Sequence, residues 1–240
     1  MIKPNQLLAI LATGLLLACG TSTLKQSTPK IVSTHVLTKQ ERDQLTPDQV
    51  LKQLKEGNER FRTNQSTMRN HSEEIRQAAV GQYPKAIVLS CVDSRVPVED
   101  VFDQGLGDVF VARVAGNFAN EDILGSMEFA CKVAGAKLIL VMGHQHCGAI
   151  KGAIDDVKLG NLSALLQNIK PAVALNQNYK GDKSTANEDY VRQVAVCNVK
   201  NTIEKIRNNS PILREMELKG EIKIVGAFYT LTKGELIFLN

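Results

Sequence analysis

Apolar residues along this chain fall into two rhythms. Four short, nearly unbroken runs have the length and β-branched content of strands buried on both faces: Ala86-Ile87-Val88-Leu89-Ser90, Val109-Phe110-Val111-Ala112, Lys137-Leu138-Ile139-Leu140-Val141-Met142 and Ile222-Lys223-Ile224-Val225-Gly226-Ala227-Phe228. The second is entered through the turn Gly105-Leu106-Gly107-Asp108, and a final strand from Glu235 to Leu239 follows the turn Lys233-Gly234. Elsewhere apolar positions recur at helical spacing, over 123–134, 147–157, 162–174, 189–207 and 211–218, with Pro171 placed to kink the third. Upstream, Thr46-Pro47-Asp48 opens a helix with Val50, Leu51, Leu54 and Phe61 on one face, and Ser72-Glu73-Glu74 opens another that runs to about Val80. Strands alternating with helices predict an α/β domain with a mainly parallel central sheet flanked by helices, and no internal repeat interrupts it.

The N-terminus follows neither rhythm. Lys3 precedes an apolar run from Leu7 to Ala18 that is too short to span a bilayer comfortably, so it reads as the apolar region of a signal peptide. It ends in Leu16-Leu17-Ala18-Cys19, which resembles the lipobox of bacterial lipoproteins. That resemblance implies cleavage before Cys19 and a lipid on its sulfur, holding an exported protein on a membrane surface without spanning it. A plain signal peptide or a buried N-terminal helix is the alternative. Residues 20–45, rich in Thr, Ser, Lys and Gln, predict a flexible tether. The expected organisation is a signal peptide over 1–18, a tether over 19–45 and a catalytic domain over 46–240. Membrane contact is then confined to the lipid anchor, with the domain in the periplasm or another extracytoplasmic space.

The 240 residues carry 29 basic and 25 acidic side chains without a long basic run, which argues against a nucleic-acid partner. A hydrophobic fraction of 43% is enough for an ordinary core. Beyond Cys19 the chain has Cys91, Cys131, Cys147 and Cys197, and export leaves disulfides open as one use for them.

Two clusters carry candidate chemistry, each directly after a buried strand: Cys91-Val92-Asp93-Ser94-Arg95 and Gly143-His144-Gln145-His146-Cys147-Gly148. Ligands bind outside the carboxyl ends of parallel strands, so the two clusters can converge. Cys91, His144 and Cys147 would form a Cys2His set with a free fourth position, as in catalytic zinc sites, and soft thiolates with imidazole favour zinc over magnesium or calcium. Cys147 begins a helix, whose positive end favours a thiolate, and Gly148 permits close approach of the backbone. A Cys91–Cys147 disulfide or inert buried thiols are the competing readings, and the spacing alone does not choose.

The surrounding residues do. Ser90-Cys91-Val92-Asp93-Ser94-Arg95-Val96-Pro97 and Gly143-His144-Gln145-His146-Cys147-Gly148-Ala149 closely resemble the two signatures of the β-carbonic anhydrases. The likeness continues through Asp108–Asn117, Ser126-Met127-Glu128-Phe129-Ala130, Asn198-Val199-Lys200 and Val225–Tyr229. It implies one zinc per chain on Cys91, His144 and Cys147, with the family spacing favouring His144 over the competing His146, and a catalytic pair Asp93 and Arg95. Asp93 would ligate zinc only in a closed state. Gln82 and Phe110 match pocket positions of the plant-type subgroup; Phe129 stands where tyrosine is common, and Val88 replaces the tryptophan of the bicarbonate-inhibited subgroup. The resemblance therefore implies the open arrangement. It also implies reversible hydration of CO2 to bicarbonate by hydroxide held on zinc, in a homodimer or higher homo-oligomer that shares its pocket between subunits. The helix near 47–62 would then grip a partner or cover its own sheet. A related zinc hydrolase of small linear substrates and a non-catalytic zinc-binding lipoprotein are the alternatives. Cys131 and Cys197, on apolar helical faces, are expected to be buried free thiols.

Overall fold

The computed structural model describes residues 32–239; the expected signal peptide, the lipidation site Cys19 and the first part of the tether lie outside them. In chain order the elements are β1 (Val32–Ser33), α1 (Lys39–Gln44), α2 (Pro47–Arg62), β2 (Met68–Arg69), α3 (His71–Ala78), β3 (Ala86–Ser90), α4 (Val98–Val101), β4 (Val109–Arg113) and α5 (Glu121–Glu128). A π-helical turn, Phe129–Val133, continues α5. There follow β5 (Leu138–His144), α6 (Gly148–Ile154), α7 (Gly160–Gln167), α8 (Lys170–Leu175), α9 (Glu188–Asn209), α10 (Pro211–Leu218), β6 (Lys223–Thr230) and β7 (Glu235–Leu239).

The main sheet has the order β4-β3-β5-β6-β7, with every pair parallel except the closing β6–β7 hairpin. Side chains alternate across a strand, and this places Ile87, Leu89, Ile139 and Val141 in one apolar layer and Ala86, Val88, Leu138, Leu140 and Met142 in the other. The first layer is closed by α5, α9 and α10, and the second by α2 and α4. A third cluster, beyond the carboxyl ends of the strands, is built from α6, α7, α8 and the first half of α9. From β3 the chain passes to β4 on one side, and from β5 to β6 on the other. The gap between the ends of β3 and β5 is therefore a topological switch point, where parallel sheets leave a crevice.

All five anticipated strands are present, and the departures among the helices have local causes. Thr46 caps α2 in a reciprocal capping box with Gln49, and Val50 and Leu54 are fully buried against the chain's own sheet, so this helix covers its own subunit. Gly57 lets α2 touch the end of α4, because a Cβ there would overlap the Phe102 carbonyl oxygen. Helix α3 starts at His71 because Asn70, rather than Ser72, accepts from the Glu73 N–H. The helix expected over 162–174 is two, and Pro171 lies in the first turn of the second, where its missing N–H costs nothing.

The flexible tether expected over 19–45 is corrected for residues 32–45. Strand β1 pairs with β2, and α1 carries a capping box between Thr38 and Glu41. Arg42, at 4% exposure, donates to the Ala134 carbonyl at the end of the π-helical turn. A helix whose only buried residue is an arginine leaves no apolar pattern in the sequence. Among the described residues no helix is long and apolar enough to cross a membrane.

Candidate metal centre

Strand β3 ends at Ser90 and delivers Cys91 into the switch-point crevice; β5 ends on His144, and the loop after it returns Cys147 as the N-cap of α6. All three are buried, and their ligand atoms lie within 4.8 Å of one another, the one group of this kind among the described residues. The two sulfurs are 4.0 Å apart. A disulfide needs about 2.05 Å, so the disulfide reading does not hold, and the described cysteines are all free. Two metal–sulfur bonds of about 2.3 Å at a tetrahedral angle would put sulfurs roughly 3.8 Å apart, so the spacing suits a shared ion.

The imidazole is prepared in the same sense. His144 Nδ1 donates to the Gln145 carbonyl at 2.9 Å, which leaves Nε2 with its lone pair facing the sulfurs. That atom is fully buried and has no hydrogen-bond partner among the described residues, a costly state for a polar atom unless something binds it. The donor set and the orphaned nitrogen both fit zinc.

The thiols titrate as a pair. A hydrogen bond from Cys147 pulls the Cys91 thiol well below its ordinary value, against the cost of burial, and the Gly116 N–H acts in the same direction. The same bond, with burial and the Cys91 charge, pushes Cys147 up, while the N–H groups of Ile150 and Ala149 pull the other way. A divalent ion would displace the remaining proton.

Beside the ligands, Arg95 forks onto Asp93, with Nε 2.9 Å from Oδ1 and Nη2 2.8 Å from Oδ2, and its backbone N–H also donates to Oδ1. This guanidinium, against a smaller burial cost, holds the Asp93 carboxyl far below the usual carboxylate range. Asp93 Oδ2 lies 4.0 Å from His144 Nε2. The carboxylate is thus next to the ligand cluster and tied to Arg95. Arg113, given no role by the sequence, clamps this segment: its Nε donates to the Cys91 carbonyl at 2.8 Å and its Nη2 to the Asp93 carbonyl at 2.6 Å. Fixing the carbonyls on either side of Val92 fixes both the ligand and the carboxylate.

Other expected residues lie apart. His146 turns away in a left-handed conformation (φ +54) and its Nδ1 donates to Glu188 at 2.7 Å. Gly148 is exposed at the first turn of α6, with open space where a Cβ would stand. Gln82 is exposed on the loop before β3, and Cys91 follows its other end, so the five-residue strand separates them by roughly 17 Å. Phe110 pairs in register with Ile87, four residues before Cys91, or roughly 13 Å of strand. It meets Phe129 edge-on at a ring separation of 6.0 Å in a groove that contains none of the metal ligands. Within one chain, Gln82, Phe110 and Phe129 therefore do not join the centre. Cys131 is buried with its thiol pushed up to about 12 by burial, and Cys197 is half-buried.

A mainly parallel α/β sheet with a Cys2His cluster at its switch point and an arginine-held carboxylate beside it defines a mononuclear metalloenzyme scaffold. Comparison with known proteins narrows the class: residues 86–236 match the carbonic anhydrase family. Carbonic anhydrase 2 of Mycobacterium tuberculosis is 35% identical over 192 residues, covering 78% of this chain and 89% of that protein. The carbonic anhydrase of Synechococcus elongatus is 31% identical over 201 residues, covering 79% and 72%. Among solved structures, a tetrameric β-carbonic anhydrase of Sordaria macrospora superposes with a TM-score of 0.64 at 28% identity, over 69% of this chain and 85% of that one. This chain belongs to the carbonic anhydrase family, in its β class.

Proposed function

We propose that the protein catalyses the reversible hydration of CO2 to bicarbonate and a proton, with Cys91, His144 and Cys147 as the zinc ligands and Asp93 with Arg95 as the catalytic pair. The observation that carries this reading is the buried, unpartnered His144 Nε2 facing two sulfurs, with an ionised carboxylate 4.0 Å away. Zinc bound there would act as a Lewis acid and lower the pKa of a water molecule to about 7. Asp93 would do the positioning. Arg95 takes both lone pairs of Asp93 Oδ1 and one of Oδ2, and the remaining Oδ2 lone pair can accept a hydrogen bond from the attacking oxygen and aim it at carbon. Arg113 holds the segment rigid while this happens. Stopped-flow CO2 hydration against pH, on zinc-loaded protein truncated before residue 32, tests the reading. A protein with one zinc per chain and no hydration would favour the structural-zinc alternative, and turnover of carbon disulfide without CO2 would favour the hydrolase.

The plant-type, open arrangement is part of this proposal, supported by Val88 where the other subgroup has tryptophan and by the Asp93–Arg95 fork. So is a pocket completed by a second copy. CO2 is apolar, and Phe110, Phe129 and Gln82 suit it, yet they lie about a strand's length from the ligands of their own chain. Lipidation at Cys19 and an extracytoplasmic, membrane-anchored location rest on Leu16-Leu17-Ala18-Cys19. Cys19→Ser should release the protein from the membrane fraction, and unchanged fractionation would remove the anchor.

A further inference from the structure

We propose that Asn198 is a positioning residue of the metal centre, acting on the Cys91 sulfur through the Gly116 peptide groups; this rests on Cys91 being a zinc ligand. Helix α9 is apolar where it faces the third cluster, through Val191, Val194 and Ala195, and again further along through Val199 and Ile203. Asn198 interrupts that face with 0% exposure. Burying an amide costs about 1–3 kcal/mol unless it is bonded. Its Nδ2 donates to the Gly116 carbonyl at 2.7 Å. One turn on, the Thr202 hydroxyl donates to the Asn117 carbonyl at 3.4 Å.

The turn that these side chains hold is strained. Gly116 (φ +79) and Asn117 (φ +42) are consecutive left-handed residues, and a Cβ at Gly116 would overlap the Ile169 side chain. Such conformations persist where the surroundings impose them. What the turn presents is the Gly116 N–H, which donates to Cys91 Sγ at 3.3 Å. The chain of contacts thus runs from a buried helix residue, across 82 positions of sequence to Gly116, and from there to a ligand sulfur.

An N–H donated to a thiolate draws charge from it and fixes the direction of its lone pairs. The sulfur then passes less charge to the ion, which becomes a stronger Lewis acid in a site where two thiolates would otherwise weaken it. Loss of the Asn198 amide should loosen the turn, lengthen the N–H···S contact and leave the sulfur less well aimed, which costs metal affinity more than its greater electron density returns. Outer-shell partners of this kind are worth about 10–100-fold in metal affinity.

The test compares Asn198→Leu, which keeps the volume, Asn198→Ser, whose hydroxyl falls short of the Gly116 carbonyl, and Ile206→Val, a packing change on the same helix. Zinc affinity is measured by chelator competition, and the thiolate-to-metal charge-transfer band is read on the cobalt-substituted proteins. Both Asn198 variants should bind zinc about 10–100-fold more weakly and show a displaced band, with Ile206→Val unchanged in both. Should Asn198→Leu not fold, Asn198→Ser decides alone. Wild-type affinity and spectrum in the Asn198 variants, or the same changes in Ile206→Val, would overturn the proposal. A wild-type protein without a thiolate–cobalt band would instead bring down the ligand assignment beneath it.

Discussion

At the scale of single residues, each atom of the centre has a separate consequence. Cys147 supplies a sulfur that no other described residue can replace, since His146 is committed to Glu188. Cys147→Ser should therefore lose zinc and turnover together, and metal analysis showing near one zinc per chain would contradict the ligand role. Asp93 has no place among the ligands in this arrangement, so Asp93→Asn should keep its zinc. It should lose turnover on the order of 10²-fold or more, because the amide cannot accept in the same way or hold Arg95 by charge. Near-normal kcat in that variant would take the pair out of the mechanism. The meeting of Cys91, His144 and Cys147 was legible in the sequence because motif and position agreed: each cluster follows a buried apolar run, and parallel sheets expose those ends. Arg113 and Asn198 stand in segments that share the family likeness, but their contacts were not legible, since their partners lie 20 to 22 and 82 positions away.

Among the elements, strands were easier to read than helix ends because continuous β-branched runs admit few registers. The 123–134 segment has an apolar period that does not distinguish an α-helix from an α-helix closing in a π turn. The clasp around Asp103 was invisible because it is wholly polar. Asp103, just after α4, accepts from Arg60 of α2 at 2.5 Å, from the Thr67 N–H and hydroxyl at 3.0 and 2.8 Å, and from Arg69 of β2 at 3.1 Å. Burial alone would raise its pKa, but the bonds from Arg60 and Thr67, with the Arg69 charge, outweigh it, and the value falls below the ordinary one. A carboxylate with a lowered folded pKa stabilises the protein above its unfolded value of about 3.9. That contribution is lost as pH falls through the folded value. Asp103→Asn should therefore be less stable than wild type at pH 7 in urea denaturation, with the gap closing as pH falls below about 4. Comparing the two proteins at each pH cancels the loss of zinc in acid. A gap that stays constant with pH would assign the clasp to packing rather than charge.

For the whole molecule, the open question is what covers the β4 side of the sheet. Among the described residues strand β4 pairs only with β3, so there its outer edge presents free backbone groups, a feature that proteins usually cover or blunt. Beside it lies the Phe110–Phe129 groove, with Phe129 half exposed at 50%. Those phenylalanines suit CO2 yet lie a strand's length from their own zinc ligands, and a two-fold partner packed along β4 would bring them to the other subunit's centre. Phe129→Glu tests this without touching a ligand. An exposed carboxylate costs a monomer little, whereas a symmetric dimer would bury two, at several kcal/mol each. At about 1.4 kcal/mol per tenfold, dimer association should weaken by about 10³-fold or more. Sedimentation at micromolar concentration should then find monomers that retain zinc, because the ligands come from one chain, but hydrate CO2 poorly, because the pocket wall is gone. A monomeric Phe129→Glu protein with full turnover would mean that each chain carries a complete site of its own.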